Sequence, residues 1–392
     1  MGGILPIKSE NDFAIVSSAE ALSESETMLP YYYTLMTKEE KRLYLQAREA
    51  VMENKSKIKL MGRISEESLY KIICTLFYYD TLTFNLSSVD LNYTPSNAEL
   101  KLEYSLDNDL YNEMLSEMDE ISDEINAKFK ESTSDYAKIK YIHDYIVSST
   151  DYDGSDSFSH YAYGALKNGK AVCDGYSGAF AYLCGKAGIQ TVNVIGDAKG
   201  EQHTWNKVYC GKSWYNVDIT WDDPVTNLKE NSSYNYFMIT DETIGLTHTE
   251  KAYGFDSPAA SDDTQSYFAR NDLVASNIND AKNMLSSQMI SAIEKGQTTA
   301  SIQMKDQKTF NEVVSYLGMN NSKAAVSLLS SVKKKTDADI VETGMWSFTN
   351  PDTYTYTVCI LYEDSSLSDY FYDSESLDDD TVSFFKKLGV NV

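Results

Sequence analysis

The chain has little positive charge and little histidine. Among its 392 residues, 34 lysines and arginines stand against 59 aspartates and glutamates, and only 4 histidines are present. The net charge of −25 repels phosphate backbones and anionic lipid headgroups, so nucleic-acid binding is excluded from the expected functions. A field of this sign favours solubility and suits cationic or amine-bearing partners.

The sequence also lacks paired cysteine motifs and any long apolar run. Its 5 cysteines are an odd number, so at least one thiol stays outside any intrachain disulfide. None of them forms a CxxC pair and no zinc-binding pattern fits, so we expect no metal and no organic cofactor. No apolar stretch approaches the roughly 20 residues that a membrane-spanning helix needs, and no transmembrane segment is expected.

Composition and periodicity divide the chain into a leader and three α+β domains. Residues 1–27, rich in Ser, Glu and Ala, are predicted to be a flexible leader of the kind that tethers a domain to a membrane or cell wall. The remaining length exceeds one ordinary core. Helical and strand patterns predict an N-terminal accessory domain over 28–130, a central domain over 131–262 and a C-terminal domain over 263–392.

One thiol of the central domain is placed for chemistry. Apolar residues recur at helical spacing from Tyr176 to Ala187, so Cys173 is predicted at the N-terminus of a helix. A helix N-terminus favours the thiolate and directs backbone N–H groups at a developing oxyanion. Gly175 is expected to keep this helix start narrow enough for a substrate to approach. Without partners, however, Cys173 would be explained more simply as a small buried hydrophobic residue.

A histidine and a carboxylate follow on two predicted strands. His203 and Asp218 flank a predicted hairpin that turns near Gly211. Side chains alternate along a strand, so His203 lies opposite Asp218 or one diagonal step away, on the same face. A surface histidine and a turn-initiating acid would explain each residue alone. Together with Cys173 they predict a nucleophilic site in which His203 moves the proton and Asp218 holds the ring and favours its protonated form.

The same residues resemble a known family. The motifs CDGY at Cys173, HTWN at His203 and DITW at Asp218 are similar to the core of the transglutaminase-like superfamily, as it occurs in bacterial surface and extracytoplasmic proteins. The resemblance covers about residues 135–250. It implies a papain-like α+β core, with the cysteine helix packed against an antiparallel sheet, and the roles of nucleophile, general base and acid, and orienting carboxylate for these three residues. It also implies a location outside the cytoplasm or at the cell surface.

The chain departs from transglutaminases proper in its tryptophans. Those enzymes use a tryptophan upstream of the cysteine as an oxyanion donor, whereas the four tryptophans here, at 205, 214, 221 and 346, all follow Cys173. Candidate residues of the substrate cleft are Trp205, Tyr163, Tyr176 and Tyr152. Tyr163 and Tyr152 are possible oxyanion donors, although core packing would explain either tyrosine. Trp205 either walls the cleft or packs in the sheet.

The other three histidines receive no catalytic role. His143 is predicted on a helix face and His160 in a loop near the cleft, and no partner is evident for His248.

Two functions stay open at this point. The first is thiol-mediated acyl transfer from an amide of a protein or peptide, with cell-wall peptide as one candidate, ending in hydrolysis or in transfer to an amine. The second is a non-catalytic surface protein that binds or adheres and uses the transglutaminase-like domain as a scaffold. The three-residue site favours the enzyme. The acidic flanks, the 30 tyrosines and the missing tryptophan favour the scaffold.

Overall fold

The structure covers most of the chain after the predicted leader. It is a computed structural model that describes residues 28–223, 233–318, 322–363, 365–370, 379–388 and 390. The leader predicted over 1–27 lies outside the described residues.

Many helices begin at a polar side chain that accepts a backbone N–H. At the start of the second helix, the N–H of Glu40 donates to Thr37 Oγ1 at 3.3 Å and the N–H of Thr37 donates to the Glu40 carboxylate at 2.8 Å. These reciprocal bonds satisfy donors that a first helical turn leaves without acceptors. The helices are α1 (Tyr31–Leu35), α2 (Lys38–Met52), α3 (Glu66–Cys74), α4 (Asn108–Asn126), α5 (Asp135–Ser149), α6 (Cys173–Lys186), α7 (Ile219–Asp222), α8 (Asp241–Ile244), α9 (Tyr267–Arg270), α10 (Ile278–Glu294), α11 (Gln307–Leu317), α12 (Lys323–Thr336), α13 (Leu367–Tyr370) and α14 (Asp379–Leu388).

The strands are short and mostly antiparallel. They are β1 (Lys57–Met61), β2 (Leu86–Thr94), β3 (Asn97–Tyr104), β4 (Asp151–Tyr152), β5 (Lys170–Ala171), β6 (Thr191–Ala198), β7 (Glu201–Cys210), β8 (Ser213–Val217), β9 (Phe237–Ile239), β10 (His248–Glu250), β11 (Val274–Ala275), β12 (Thr299–Met304), β13 (Trp346–Asn350) and β14 (Thr355–Cys359). Together with the helices they confirm the predicted α+β fold class.

The chain divides into two compact units. The first contains the described residues up to 219 together with 248–261, and the second contains 220–247 together with the described residues from 262 onward. The predicted domain boundary between 130 and 131 lies inside the first unit, so the division into three domains stays a prediction.

The first unit contains two antiparallel sheets. In one, the strands run in the order β1-β3-β2, and apolar side chains from this sheet, α2 and α3 share a core that includes Leu43, Leu69 and Leu100. In the other, β10, β6, β7 and β8 lie side by side in that order. Helix α6 packs against β6 and β7, and α5 packs against α6. The helix that begins at Cys173 is therefore supported by the sheet that carries His203.

The second unit is built around another small sheet. Its strands run in the order β11-β12-β14-β13, with only the β11–β12 pair parallel. Helices α10, α11 and α12 contribute buried residues such as Leu285, Val313 and Leu329 to the same core as Ile302 and Val358.

Candidate active site

Cys173 is the most accessible thiol of the chain. It is the first residue of α6 and is partly exposed, whereas the other four cysteines are buried: Cys74, Cys184, Cys210 and Cys359. Burial raises the pKa of the Cys184 thiol well above its ordinary value and also raises that of Cys74. The predicted helix start is observed, and these differences in burial make Cys173 the thiol that a dissolved reagent reaches first.

Gly175 has a different role from the predicted one. A Cβ built on it would lie 2.3 Å from the carbonyl oxygen of Ser159 and 2.8 Å from the Cβ of Ala171. The space beside the helix start is therefore occupied by the chain itself. Glycine at this position lets α6 pack closely on the preceding loop, and no room for substrate follows from it.

His203 and Asp218 meet as the hairpin register requires. Strands β7 and β8 pair with Cys210 opposite Ser213 and Asn206 opposite Val217. Extending this register puts Asp218, which directly follows β8, one diagonal step from His203 on the same face. The two atoms that meet are His203 Nε2 and Asp218 Oδ2, separated by 2.7 Å, and both side chains are buried.

The charges of this pair support one another. Burial lowers the pKa of His203, but the charge and hydrogen bond of Asp218 outweigh it and, with a further hydrogen bond to Cys173, raise the pKa to about 10. Burial raises the pKa of Asp218, but His203 and His248 hold it below its ordinary value. Because Nε2 of His203 is bonded to Asp218, Nδ1 is the ring nitrogen left for the hydrogen bond with Cys173. The structure thus brings the three predicted residues together, with the His203 ring hydrogen-bonded to both Asp218 and Cys173.

His248 joins this group without having been predicted. Its side chain is fully buried, and its Nε2 lies 3.0 Å from Asp218 Oδ2, the same oxygen that accepts from His203. The rings of His203 and His248 have centroids 5.3 Å apart. The signal in the sequence is weak, since His248 lies 30 residues beyond Asp218 on a strand of three residues.

Trp205, on strand β7, packs against the imidazole rings of His203 and His248. Its ring stacks on His203 at 6.3 Å between centroids and meets His248 edge-on at 5.0 Å. The indole N–H donates to Asn216 Oδ1 at 3.1 Å, and the residue is buried. This position agrees with the sheet-packing alternative for Trp205, because a buried ring cannot form an exposed cleft wall.

The three tyrosine candidates occupy different environments. Tyr176 is fully buried and donates to the carbonyl of Thr150 at 3.0 Å. Tyr163 donates to the Glu117 carboxylate at 2.6 Å. Tyr152 is 51% exposed, and burial followed by the negative charges of Cys173 and its neighbours raises its pKa. Among the three, Tyr152 is therefore the one that is exposed to solvent and interacts electrostatically with Cys173.

The remaining histidines pair with neighbouring aspartates. His160 Nδ1 lies 3.0 Å and 2.9 Å from the two carboxylate oxygens of Asp174, the residue after Cys173, and both side chains are exposed. His143 is fully buried on α5, with Nδ1 3.1 Å from Asp144 Oδ1. His160 thus lies at the edge of the candidate site, as predicted, while His143 belongs to the interior.

One group of side chains has the spacing of a metal site. Donor atoms of His203, Asp218 and His248 all lie within 4.8 Å of one another. Two neutral Nε2 atoms and a carboxylate would suit a borderline ion such as Zn²⁺. Hydrogen bonds from both imidazoles to one carboxylate oxygen already account for the arrangement, so the geometry itself does not call for an ion. The absence of a metal requirement stays a prediction.

The central segment matches a known family. Residues 123–219 match the model of the transglutaminase-like superfamily, a range that includes Cys173, His203 and Asp218 and ends directly after the aspartate. This part of the chain therefore carries a transglutaminase-like domain.

Individual relatives share only part of the chain. Kyphoscoliosis peptidase of Mus musculus is 29% identical over 136 residues, which are 30% of this chain and 20% of that protein. Kyphoscoliosis peptidase of Homo sapiens is 33% identical over 95 residues, 21% of this chain and 14% of that protein. A crystal structure described as a TGase is 16% identical, covers 42% of this chain and 50% of its own, and gives a TM-score of 0.26. The chain thus spans a small part of the length of both curated relatives.

Within the part of the chain that the structure describes, no helix combines the length and the hydrophobicity that crossing a membrane demands.

Proposed function

We propose that this protein is a cysteine-dependent acyl-transfer enzyme that acts on amide bonds of a protein or peptide. One observation carries the proposal: buried His203 bonds Asp218 through Nε2 at 2.7 Å and also hydrogen-bonds Cys173 at a helix N-terminus. A thiol, an imidazole and a carboxylate in this order are the parts of a nucleophilic acyl-transfer site.

In the proposed first step, the Cys173 thiolate attacks the carbonyl carbon of the substrate amide. The negative charge that develops on the carbonyl oxygen is stabilised by the backbone N–H of Cys173, a first-turn donor of α6, and by a second donor for which Tyr152 is our candidate. His203, held protonated by Asp218, gives its proton to the leaving nitrogen as the C–N bond breaks. The products are a free amine and a thioester on Cys173.

In the second step, water or an amine attacks the thioester carbonyl. His203 takes a proton from the attacking group, the C–S bond breaks, and sulfur leaves as thiolate beside the new imidazolium. Water yields a carboxylic acid and an amine yields a new amide. The peptidase name carried by the mouse and human relatives supports the hydrolytic outcome. The net charge of −25 would suit a cationic amine as the acceptor in the transfer outcome.

The alternative is a non-catalytic binding protein of the cell surface. The missing upstream tryptophan supports it, since no indole N–H of this chain precedes Cys173 to stabilise an oxyanion. An extracytoplasmic or cell-surface location is a proposal under either function. An uncleaved native N-terminus found in a cytosolic extract would contradict that location.

Selective alkylation separates the enzyme from the scaffold. Iodoacetamide should label Cys173 much faster than the four buried cysteines at pH 6 to 7, because only Cys173 is accessible and paired with an imidazolium. Mass spectrometry of the labelled peptides over time gives the rate for each thiol. Cys173→Ala should remove the fast phase, and Cys210→Ala, which removes a buried thiol, is the matched control. Equally slow labelling of all five thiols would support the scaffold.

A second experiment separates hydrolysis from transfer. A glutamine-bearing protein is incubated with the enzyme and a fluorescent primary amine, and both amine incorporation and ammonia release are measured. Incorporation indicates transfer, whereas ammonia or new peptide termini without incorporation indicate hydrolysis. Cys173→Ala should abolish either product, and product that persists in this variant would contradict the proposed nucleophile.

A further inference from the structure

His248 contacts the carboxylate of the proposed site, yet the proposed chemistry makes no use of it. Its Nε2 lies 3.0 Å from Asp218 Oδ2, and His203 Nε2 lies 2.7 Å from the same oxygen. All three side chains are buried, and Asp218 and His248 are fully so. A histidine that is buried against a buried carboxylate costs desolvation free energy unless its N–H is bonded.

The sheet is built so that His248 can reach this oxygen. His248 begins β10, where it pairs with Ala198 of β6, while His203 pairs with Gly196 of the same strand. A Cβ on Gly196 would lie 2.1 Å from the carbonyl oxygen of Thr249 and 3.0 Å from the Trp205 ring. Paired residues of neighbouring strands project on the same face, so His248 and His203 lie on one face of the sheet. The missing side chain at Gly196 lets the backbone of β10 and the Trp205 ring approach β6 closely.

We propose that His248 is a positioning residue whose Nε2–H donates to Asp218 Oδ2 and keeps that carboxylate ionised and aimed at His203. The inference rests on the proposed function, because it assigns a purpose to Asp218 within the same site. His248 acts only through Asp218 and does not touch the reacting atoms. The Trp205 ring stacks on His203 and lies edge-on to His248, with centroids 6.3 Å and 5.0 Å apart.

The effect of losing this donor has a definite sign. Of the titratable groups around the site, His203 and His248 face Asp218, and Cys173 faces His203. Tyr152 also interacts electrostatically with Cys173 and Asp218. A hydrogen bond to the ionised form favours that form, so its removal raises the pKa of Asp218. As the pH falls, Asp218 would then be protonated earlier, the imidazolium of His203 would lose its counter-charge, and the Cys173 thiolate would lose its partner. Reactivity of Cys173 would therefore disappear at a higher pH than in the unaltered protein.

The test is the pH profile of Cys173 alkylation in the full chain, which requires no substrate. Iodoacetamide labelling is measured from pH 3 to 9 for the unaltered protein, His248→Leu and His248→Gln, with EDTA present because these donor groups are close enough to hold a metal ion. Glutamine places an N–H near the position of the imidazole Nε2, whereas leucine has no donor. We expect the acid limb of His248→Leu to move up by about one pH unit, which is about ten-fold slower labelling on that limb. Labelling near pH 8 should be unchanged, and His248→Gln should restore the original limb.

Each outcome decides between the two proposals. If His248→Leu follows the unaltered profile, the positioning role is wrong while the proposed function stands. If both variants lose reactivity equally at every pH, His248 has only a packing role and the inference is overturned. If Cys173 of the unaltered protein shows no fast labelling, the proposed function fails and this inference fails with it.

A measurement on the unaltered protein covers the case in which His248→Leu does not fold. The ¹⁵N chemical shifts of the imidazole nitrogens give the tautomer of each histidine. We expect His248 to carry a proton on Nε2 throughout the active pH range. An unprotonated Nε2 that accepts a hydrogen bond would overturn the inference without any substitution.

Discussion

At the scale of single residues, Asp218 is the point on which the site converges. One of its oxygens accepts from both His203 and His248, at 2.7 Å and 3.0 Å. An isolated ionised carboxylate in this fully buried position would be strongly destabilised, and two imidazole donors compensate for the lost water. The chemistry proposed for Cys173 thus depends on a group that does not contact the substrate.

The two tyrosine candidates for the second oxyanion donor make a matched pair. Tyr152→Phe should lower kcat by about 100- to 1,000-fold, as the loss of one oxyanion donor does. It should leave the alkylation rate of Cys173 unchanged, because alkylation forms no oxyanion. Tyr163→Phe should leave both rates unchanged, since its hydroxyl is bonded to Glu117 at 2.6 Å. Steady-state kinetics and mass spectrometry supply the two measurements. Equal kcat values for the unaltered protein and Tyr152→Phe would exclude Tyr152 as the donor.

Residue-level prediction succeeds where contacts are local or periodic. The proximity of His203 and Asp218 follows from side-chain alternation across one tight hairpin, and the structure has that hairpin turn at Gly211 and Lys212. His248 could not be predicted in the same way. Its strand has three residues, too few for alternation to be evident, and the close approach of this strand to β6 depends on the absence of a side chain at Gly196.

At the scale of elements, α6 is positioned by its glycines as much as by its apolar side chains. Gly175 lies against the loop that contains Ser159, whereas a Cβ on Gly178 would meet only Ala162, at an ordinary contact distance of 3.6 Å. The same substitution in the same helix therefore has opposite expected effects at two positions three residues apart.

Gly178→Ala should raise the free energy of unfolding by about 0.5–1 kcal/mol, because alanine loses less backbone entropy than glycine in a helix interior. Gly175→Ala should lower it by more than that amount, since its Cβ would meet a backbone carbonyl oxygen at 2.3 Å. Urea denaturation of both variants gives the comparison. If Gly175→Ala is instead more stable than the unaltered protein, the loop at Ser159 moves away from the new Cβ at little cost in free energy.

Prediction of elements fails where short apolar runs carry no clear period. Periodicity predicts a strand over Asp339–Trp346, but in the structure Ile340 makes only an isolated bridge with Tyr362, and strand β13 begins at Trp346. The first strand, Lys57–Met61, escapes prediction because three of its five residues are charged or exposed and only Leu60 is buried. Tertiary pairing with β3 decides its conformation.

At the scale of the whole molecule, the excess of acidic residues sets the potential that a small ion meets on its way to Cys173. The net charge is −25, and exposed Asp174 follows Cys173 directly. Field lines of this sign slow the approach of an anion and leave a neutral molecule unaffected.

Two alkylating agents of similar size test this field. Iodoacetate is an anion and iodoacetamide is neutral. Rising salt should therefore accelerate the labelling of Cys173 by iodoacetate and leave the rate of labelling by iodoacetamide unchanged. Between about 0.01 M and 1 M salt the Debye length falls from about 30 Å to about 3 Å, which removes most of the long-range repulsion. Mass spectrometry gives the labelling rate of Cys173 for each agent, and the ratio of the two rates is compared between low and high salt. If salt slows iodoacetate instead, the imidazolium of His203 dominates the local field.

Because His203 and His248 share one oxygen of Asp218, the complete site extends beyond the segment that matches the family. The family match ends at residue 219, whereas His248 enters 29 positions later, on the strand that covers the outer edge of β6. A protein cut after the matched segment would keep the thiol, the first imidazole and the acid. It would expose the edge of β6 and leave Asp218 with His203 as its one imidazole partner from this pair. We therefore expect Cys173 to be less reactive in the excised segment than in the longer protein.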